Sequence, residues 1–325
     1  MRKSFFVALS TVLLVCGCST APTMRDVEEI GPDTRIVFGS TEVWVDDEQE
    51  TWGTKFTGHN YFYLLVLPPD STEAISYRLD KDGVFFWTLE PGEYTLLGYY
   101  WQNLQTVRSG HIGAKFVVPE DGPDVYLGSI IFSGNVVYLQ PKLEDRFEQV
   151  SALYDAQFAT RRGTAVKQLF EPPQDIGHFT SVSGQCHDDW KIECTKRFRG
   201  VTPITPAVSQ SGFPETDSTL PEFRWRACGR EDVSYDLVLY EAATFNIGGA
   251  LVPQYTRGHI VTYVEDIKEP RWKPDAALRP NTRYYWSVRL RDGGTVSRWS
   301  TVSHSTFLLI YASSGYGQWF QFKTS

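Results

Sequence analysis

The sequence predicts a mainly β protein: two β-sandwich domains joined by a short helical connector. Three observations carry this. Aromatic residues make up 14% of the chain, with 10 Trp, 17 Tyr and 20 Phe, and broad rigid rings suit pleated, half-buried surfaces. Short apolar runs separated by Gly- and Pro-bearing turns recur over residues 34–140 and again over residues 201–325, the spacing of a sandwich. Between them, one stretch changes to helical period. A length of 325 residues suits about two domains plus connectors. Hydrophobic residues at 42% and charged residues at 22% exclude wholesale disorder, a collagen-like repeat and a polytopic membrane protein. A net charge of −8 argues against nucleic acid as a partner, because phosphate binding needs a dense basic face.

The first residues concern location. Arg2 and Lys3 precede an eleven-residue apolar run, Phe5 to Val15, too short to cross a bilayer but right for the hydrophobic region of a signal peptide. It ends in Val15-Cys16-Gly17-Cys18-Ser19. This segment resembles the lipobox of bacterial lipoproteins. Cys18 fits the modified position, with small Gly17 before it and aliphatic Val15 three residues upstream; Cys16 would place Val15 at the scissile position. The competing reading is an ordinary cleaved signal. The resemblance implies a signal peptide over 1–17, acyl chains on Cys18, and a partner that is the membrane itself, held by enough buried methylenes to make anchoring permanent. Ser19 in place of Asp points by analogy to the outer membrane. Residues 18–33, polar with Pro22 and Pro32, read as a tether.

In the first sandwich, residues 34–140, runs such as Ile36-Val37-Phe38, Tyr61 to Leu67 and Val125 to Phe132 are closed by Asp82-Gly83, Pro91-Gly92, Asp121-Gly122 and Ser133-Gly134. The stretch Thr88 to Leu96 resembles the strand–Pro-Gly–strand element of prealbumin-like and carboxypeptidase-regulatory-like domains. In the connector, residues 141–200, the positions Leu143, Phe147, Val150, Tyr154 and Phe158 form one helical stripe. Glu144 and Asp145 are expected in its first turn, and Arg161-Arg162-Gly163 at its end. A second helical piece is expected at Thr164 to Phe170. The helix is expected on a sandwich edge.

In the second sandwich, Phe223-Arg224-Trp225 fits an early strand and Ser234 to Glu241 a central one. Leu278, Pro280, Thr282 and Tyr284 match the L-x-P-x-T-x-Y tyrosine corner, in which the hydroxyl must bond back to the corner backbone. With Ser297-Arg298-Trp299-Ser300 after Gly293-Gly294, this region resembles a fibronectin type III domain, Ig-like relatives remaining open. Thr244 to Gly258 reads as a long insertion loop, and the last strand is placed at Gln318 to Phe322.

An oxidising envelope favours pairing of thiols. Cys186 and Cys194 bracket a short polar loop and are expected to form a disulfide, with a metal site through Cys186, His187, Asp188 and Cys194 as the alternative. Cys228 is expected to be a buried free thiol. The six histidines fall in no metalloprotease or nucleophile context. The run Asp46 to Glu50 lacks the spacing and Gly of a calcium loop. No cofactor motif, metal site or catalytic constellation is found. Trp225, Tyr284 and Trp286 are expected in the core; Tyr311, Tyr316 and Trp319 are candidate exposed aromatic contacts. The expected role is a non-enzymatic binding or scaffolding module of the envelope, meeting envelope proteins or glycans. The alternatives are a glycan-binding or glycan-cleaving protein and an accessory subunit of a secretion or surface-assembly machine.

Overall fold

The computed structural model describes residues 35–50, 53–55, 58–80, 82–102, 107–135, 139–161, 163, 165–171, 196–206, 212–247, 253–308 and 311–325. The signal segment, Cys18, the tether, Cys186 and Cys194 lie outside the described residues. The strands in chain order are β1 (Ile36–Val45), β2 (Glu48–Gln49), β3 (Gly53–Lys55), β4 (Gly58–Leu67), β5 (Glu73–Arg78), β6 (Val84–Thr88), β7 (Gly92–Gln102), β8 (Val107–Val118), β9 (Val125–Gly134) and β10 (Leu139–Glu144). After the helix α1 (Phe147–Gln157) come β11 (Val166–Lys167), β12 (Lys196–Arg199), β13 (Pro203–Thr205), β14 (Glu215–Thr216), β15 (Phe223–Trp225), β16 (Ser234–Phe245), β17 (Gln254–Ile267) and β18 (Arg271–Trp272). The last five are β19 (Arg283–Asp292), β20 (Thr295–Val296), β21 (Thr301–Leu308), β22 (Tyr311–Gln318) and β23 (Phe320–Thr324).

The first module packs a sheet of order β10-β9-β1-β2, with β6 also on β1 and β11 on β9, against the strands β5-β4-β7-β8. Alternation along β4 explains its continuous apolar run. Phe62, Leu64 and Val66 enter the sandwich core with Val37, Phe85, Trp87 and Phe132. Tyr63, Leu65 and Leu67 point the other way and are also covered. A strand buried on both faces reads as unbroken hydrophobicity.

The helix covers the outer face of the β1–β9 sheet, a face rather than an edge. Val150 and Tyr154 pack on Ile36, Phe38, Phe86 and Tyr126, and the Tyr154 ring stacks on Phe38 at 4.5 Å. It starts later than its stripe suggested, because Leu143 pairs with Ile130 in β10 and turns into the sandwich core. Asp145 precedes the helix and accepts the Phe147 N–H at 3.1 Å. The expected second helical piece contains β11 instead, parallel to β9 at Val125 and Tyr126. β10 occupies that edge of β9 only at residues 129–134, and β11 takes the backbone groups it leaves. Residues 139–161 and 165–171 are thus built into the first sandwich.

In the second module, β23-β19-β16-β17 faces the three-stranded sheet β13-β15-β18. Phe223, Trp225, Leu237, Leu239, Tyr284, Trp286 and Phe322 fill the space between. At the corner, the Tyr284 hydroxyl accepts the Arg279 N–H at 2.9 Å, the Thr282 hydroxyl donates to the Pro280 carbonyl at 2.9 Å, and Leu278 is buried. The β19–β20 hairpin turns at Gly293, whose φ of 57° suits glycine. Cys228 is disulfide-bonded, which corrects the free-thiol expectation; its partner lies outside the described residues. The last strand is Phe320–Thr324, because β21 and β22 form a hairpin before it.

The expected loop at Thr244 to Gly258 is largely strand. β16 runs to Phe245 and β17 begins at Gln254, because this hairpin arm finds a surface to bury. Ala243, Phe245 and Ile247 pack on Tyr63, Leu65, Leu67 and Leu97 of the first module. β16 also pairs in parallel with β5, Thr244 against Glu73 and Phe245 against Ala74, and the Thr244 N–H donates to the Thr72 carbonyl at 2.7 Å. The two modules thereby share one 11-stranded sheet.

Candidate functional site

The hairpin that joins the modules leaves a cleft of about 860 Å³ beside it. One wall is the turn Pro69 to Thr72 with Glu93; the other is the β17 segment His259 to Thr262 with Trp272 and Arg279. Asp70 sits in the turn at φ 52°, a left-handed conformation that Asp tolerates through local hydrogen bonding. Glu93 is bonded to Lys115 at 2.6 Å, and Glu241 to Arg279 at 3.2 Å. The Nε2 atom of His259 is buried without a hydrogen-bond partner. Ile260 and Val261 are 40% and 43% exposed. Among the described residues β17 pairs only with β16, so its outer edge presents backbone donors and acceptors. The cleft can hold a ligand by shape and edge hydrogen bonds. Among the described residues, the carboxyls that depart from their ordinary range, Glu144, Asp145, Glu215, Asp232 and Asp266, are held down by a hydrogen-bonded Lys or Arg.

A second feature covers the outer face of the β19–β16–β17 sheet. Arg289 lies 4.5 Å over Trp299, Trp299 meets Trp319 at 5.6 Å, and Arg257 lies 4.2 Å over Trp319 and 5.8 Å over Tyr240. Tyr240 then meets His111 of the first module edge to face at 5.7 Å. Arg283 lies 4.6 Å over Tyr255 and 5.6 Å over Phe213. Cation–π contacts of this kind are each worth about 0.5–2 kcal/mol. Fully buried Asp236 accepts Arg289 at 2.9 Å and Arg291 at 2.7 Å.

Of the candidate aromatic contacts, Trp319 is half-buried inside this stack. Tyr311 and Tyr316 lie in β22, with Tyr311 opposite Leu308; their side chains are outside what the structure describes. Trp225, Tyr284 and Trp286 are core. Sequence reasoning missed Arg257, Arg283 and Arg289. The signal was present on β19, where Arg283, Tyr285, Arg289 and Arg291 share one strand face. Among the described residues, no three His, Cys, Asp or Glu side chains gather as a metal site, and no helix is long and apolar enough to cross a membrane.

The fold and site together define a mainly β protein of two sandwich modules with a cleft at their junction. No protein-family model matches the sequence, and no curated protein matches it. Among solved structures, the chain is similar to the FN1–FN3 domains of chicken CNTN1 at 9% identity and a TM-score of 0.18, covering 82% of this chain and 61% of that one. It is also similar to a DUF3823 family protein from Bacteroides ovatus at 7% identity and a TM-score of 0.18, covering 89% and 98%. A leucine-rich repeat protein from Bacteroides thetaiotaomicron matches at 11% identity and a TM-score of 0.22, covering 83% and 25%. Likenesses at these scores carry no argument about activity.

Proposed function

We propose that this is a lipid-anchored envelope protein that acts as a non-enzymatic binding or scaffolding module. The observation that carries the reading is the pairing of β16 with β5, which fuses two sandwiches into one body and leaves a cleft and an open strand edge at their junction. A body of this kind is built to hold partners in fixed relation. The lipobox-like Val15-Cys16-Gly17-Cys18 segment supports a thioether-linked anchor on Cys18 and, with Ser19, placement in the outer membrane.

Two experiments test the reading. Mass spectrometry of the mature amino-terminal peptide is expected to find diacylglycerol on Cys18, and Cys18→Ser to release the chain from membranes; an unmodified Cys18 overturns the anchor. A photo-crosslinking residue at Ile260, used in intact cells with the full chain, is expected to capture one recurrent envelope partner. Turnover of any polymer by the purified chain would contradict the non-enzymatic reading. A glycan-binding role is the second reading, favoured by the aromatic and arginine side chains on the outer sheet face; saturable binding on a glycan array supports it.

A further inference from the structure

Two arginines on the outer face of the second module, Arg257 and Arg283, make no ion pair among the described residues. Tyr284 of β19 pairs with Glu241 of β16, so one residue on Arg283 faces Ala242, whose neighbour on β17 is Arg257. The three positions form one row across three strands, with the arginine Cα atoms about 10 Å apart at two strand spacings. Ala242 between them is small, which leaves room for the Arg283 side chain to reach Tyr255 of β17 at 4.6 Å. The rings hold both guanidinium groups in place. Arg257 lies over Trp319 and Tyr240, which meet edge to face at 5.3 Å, and Arg283 lies over Tyr255 and Phe213, which do the same at 5.3 Å. Among the described residues, neither makes a hydrogen bond or ion pair. By contrast, Arg289 and Arg291 of the same face share buried Asp236. Glu215, which feels the field of Arg283, is bonded to Lys323 at 2.9 Å. Tyr285 lies within the field of both arginines. Burial lowers Arg257 to about 10, so the charged form is costly as it stands. Two ring-held cations beside tyrosines, without an ion pair among the described residues, have the chemistry to take an oxyanion, since planar guanidinium groups match carboxylate and phosphate oxygens.

We propose that Arg257 and Arg283, with Tyr285 beside them, form a binding site for an oxyanion group, a carboxylate or a phosphate, on the ligand this protein takes. The proposal deepens the binding-module reading and rests on it, but not on the lipid anchor. The test is calorimetric titration of the full chain in detergent micelles with galacturonate, with inorganic phosphate, and with neutral galactose. At least one oxyanion is expected to bind saturably, and which one binds separates carboxylate from phosphate recognition; galactose is expected to give no saturable heat. Arg257→Gln and Arg283→Gln are each expected to weaken binding about tenfold or more, and Arg283→Lys to retain part of it. If Arg257→Gln fails to fold, Arg283→Gln and competition by added chloride on the unaltered chain carry the test, with affinity expected to fall as chloride rises. No saturable heat from either oxyanion, equal binding of galactose, or unchanged affinity in Arg283→Gln overturns the proposal. Capture of a partner at Ile260 while both oxyanions fail removes this site alone; oxyanion binding without any captured partner removes the scaffolding reading instead.

Discussion

Asp124 is fully buried and sits against the Arg161 guanidinium. Its carboxylate accepts the Ile36 N–H at 3.0 Å and Arg161 at 2.7 and 2.8 Å, and it also accepts the Tyr154 hydroxyl. It thereby ties together the start of β1, the helix and the segment that follows it. Removing one partner of such a cluster leaves the others buried and unpaired. Asp124→Ala is therefore expected to cost about 3–5 kcal/mol in urea unfolding. A cost under about 1 kcal/mol would show the cluster to be idle. His111 makes a second prediction. Burial, then the nearby Arg257, hold it well below its ordinary 6.5, and its buried Nδ1 has no partner. The unfolded chain therefore binds a proton that the folded chain refuses. Its share of stability is full above pH 6.5 and falls below it, at no more than about 1.4 kcal/mol per pH unit. Stability measured from pH 7 down to pH 5 is expected to drop more steeply in the natural chain than in His111→Gln. The tyrosine corner was legible at this scale, because Leu278, Pro280, Thr282 and Tyr284 act through neighbours in sequence. The arginine stack was not, because Arg257, Trp319 and Tyr240 meet only after three separated segments are brought side by side.

The hairpin of β16 and β17 is the element that decides the architecture. Its arm buries Phe245 at 3% exposure against the first module, with an edge-to-face contact to Tyr100 at 5.8 Å. Phe245→Ala is expected to destabilise by about 3–5 kcal/mol and to split calorimetric unfolding into two transitions as the modules uncouple. A smaller loss with a single transition would place the coupling elsewhere. The sequence carried half of this signal. Tyr61 to Leu67 is apolar on both strand faces, which announces a second cover, but nothing local says that the cover comes from Thr244 to Ile247, far along the chain. The loop reading of Thr244 to Gly258 missed that an exposed apolar face was waiting for the arm. The helix was found by its stripe and misplaced at its start, since Leu143 fits a helical period and a strand equally well. In the segment from Thr164, propensity gave way to the open backbone edge of β9.

At the scale of the molecule, a disulfide at Cys228 ties the second module to another cysteine of the chain. Non-reducing peptide mapping is expected to recover Cys228 only in a crosslinked peptide, and to name its partner. The mainly β class was legible from composition and turn spacing, whereas the union of the modules was not, because parallel pairing of Thr244 with Glu73 links residues with no common pattern. The pairing of β16 with β5 and the burial of the hairpin arm make the two sandwiches one rigid body. Scanning calorimetry of the full chain tests it most directly: one cooperative transition with equal calorimetric and van't Hoff enthalpies is predicted, and two independent transitions in the natural chain would contradict it.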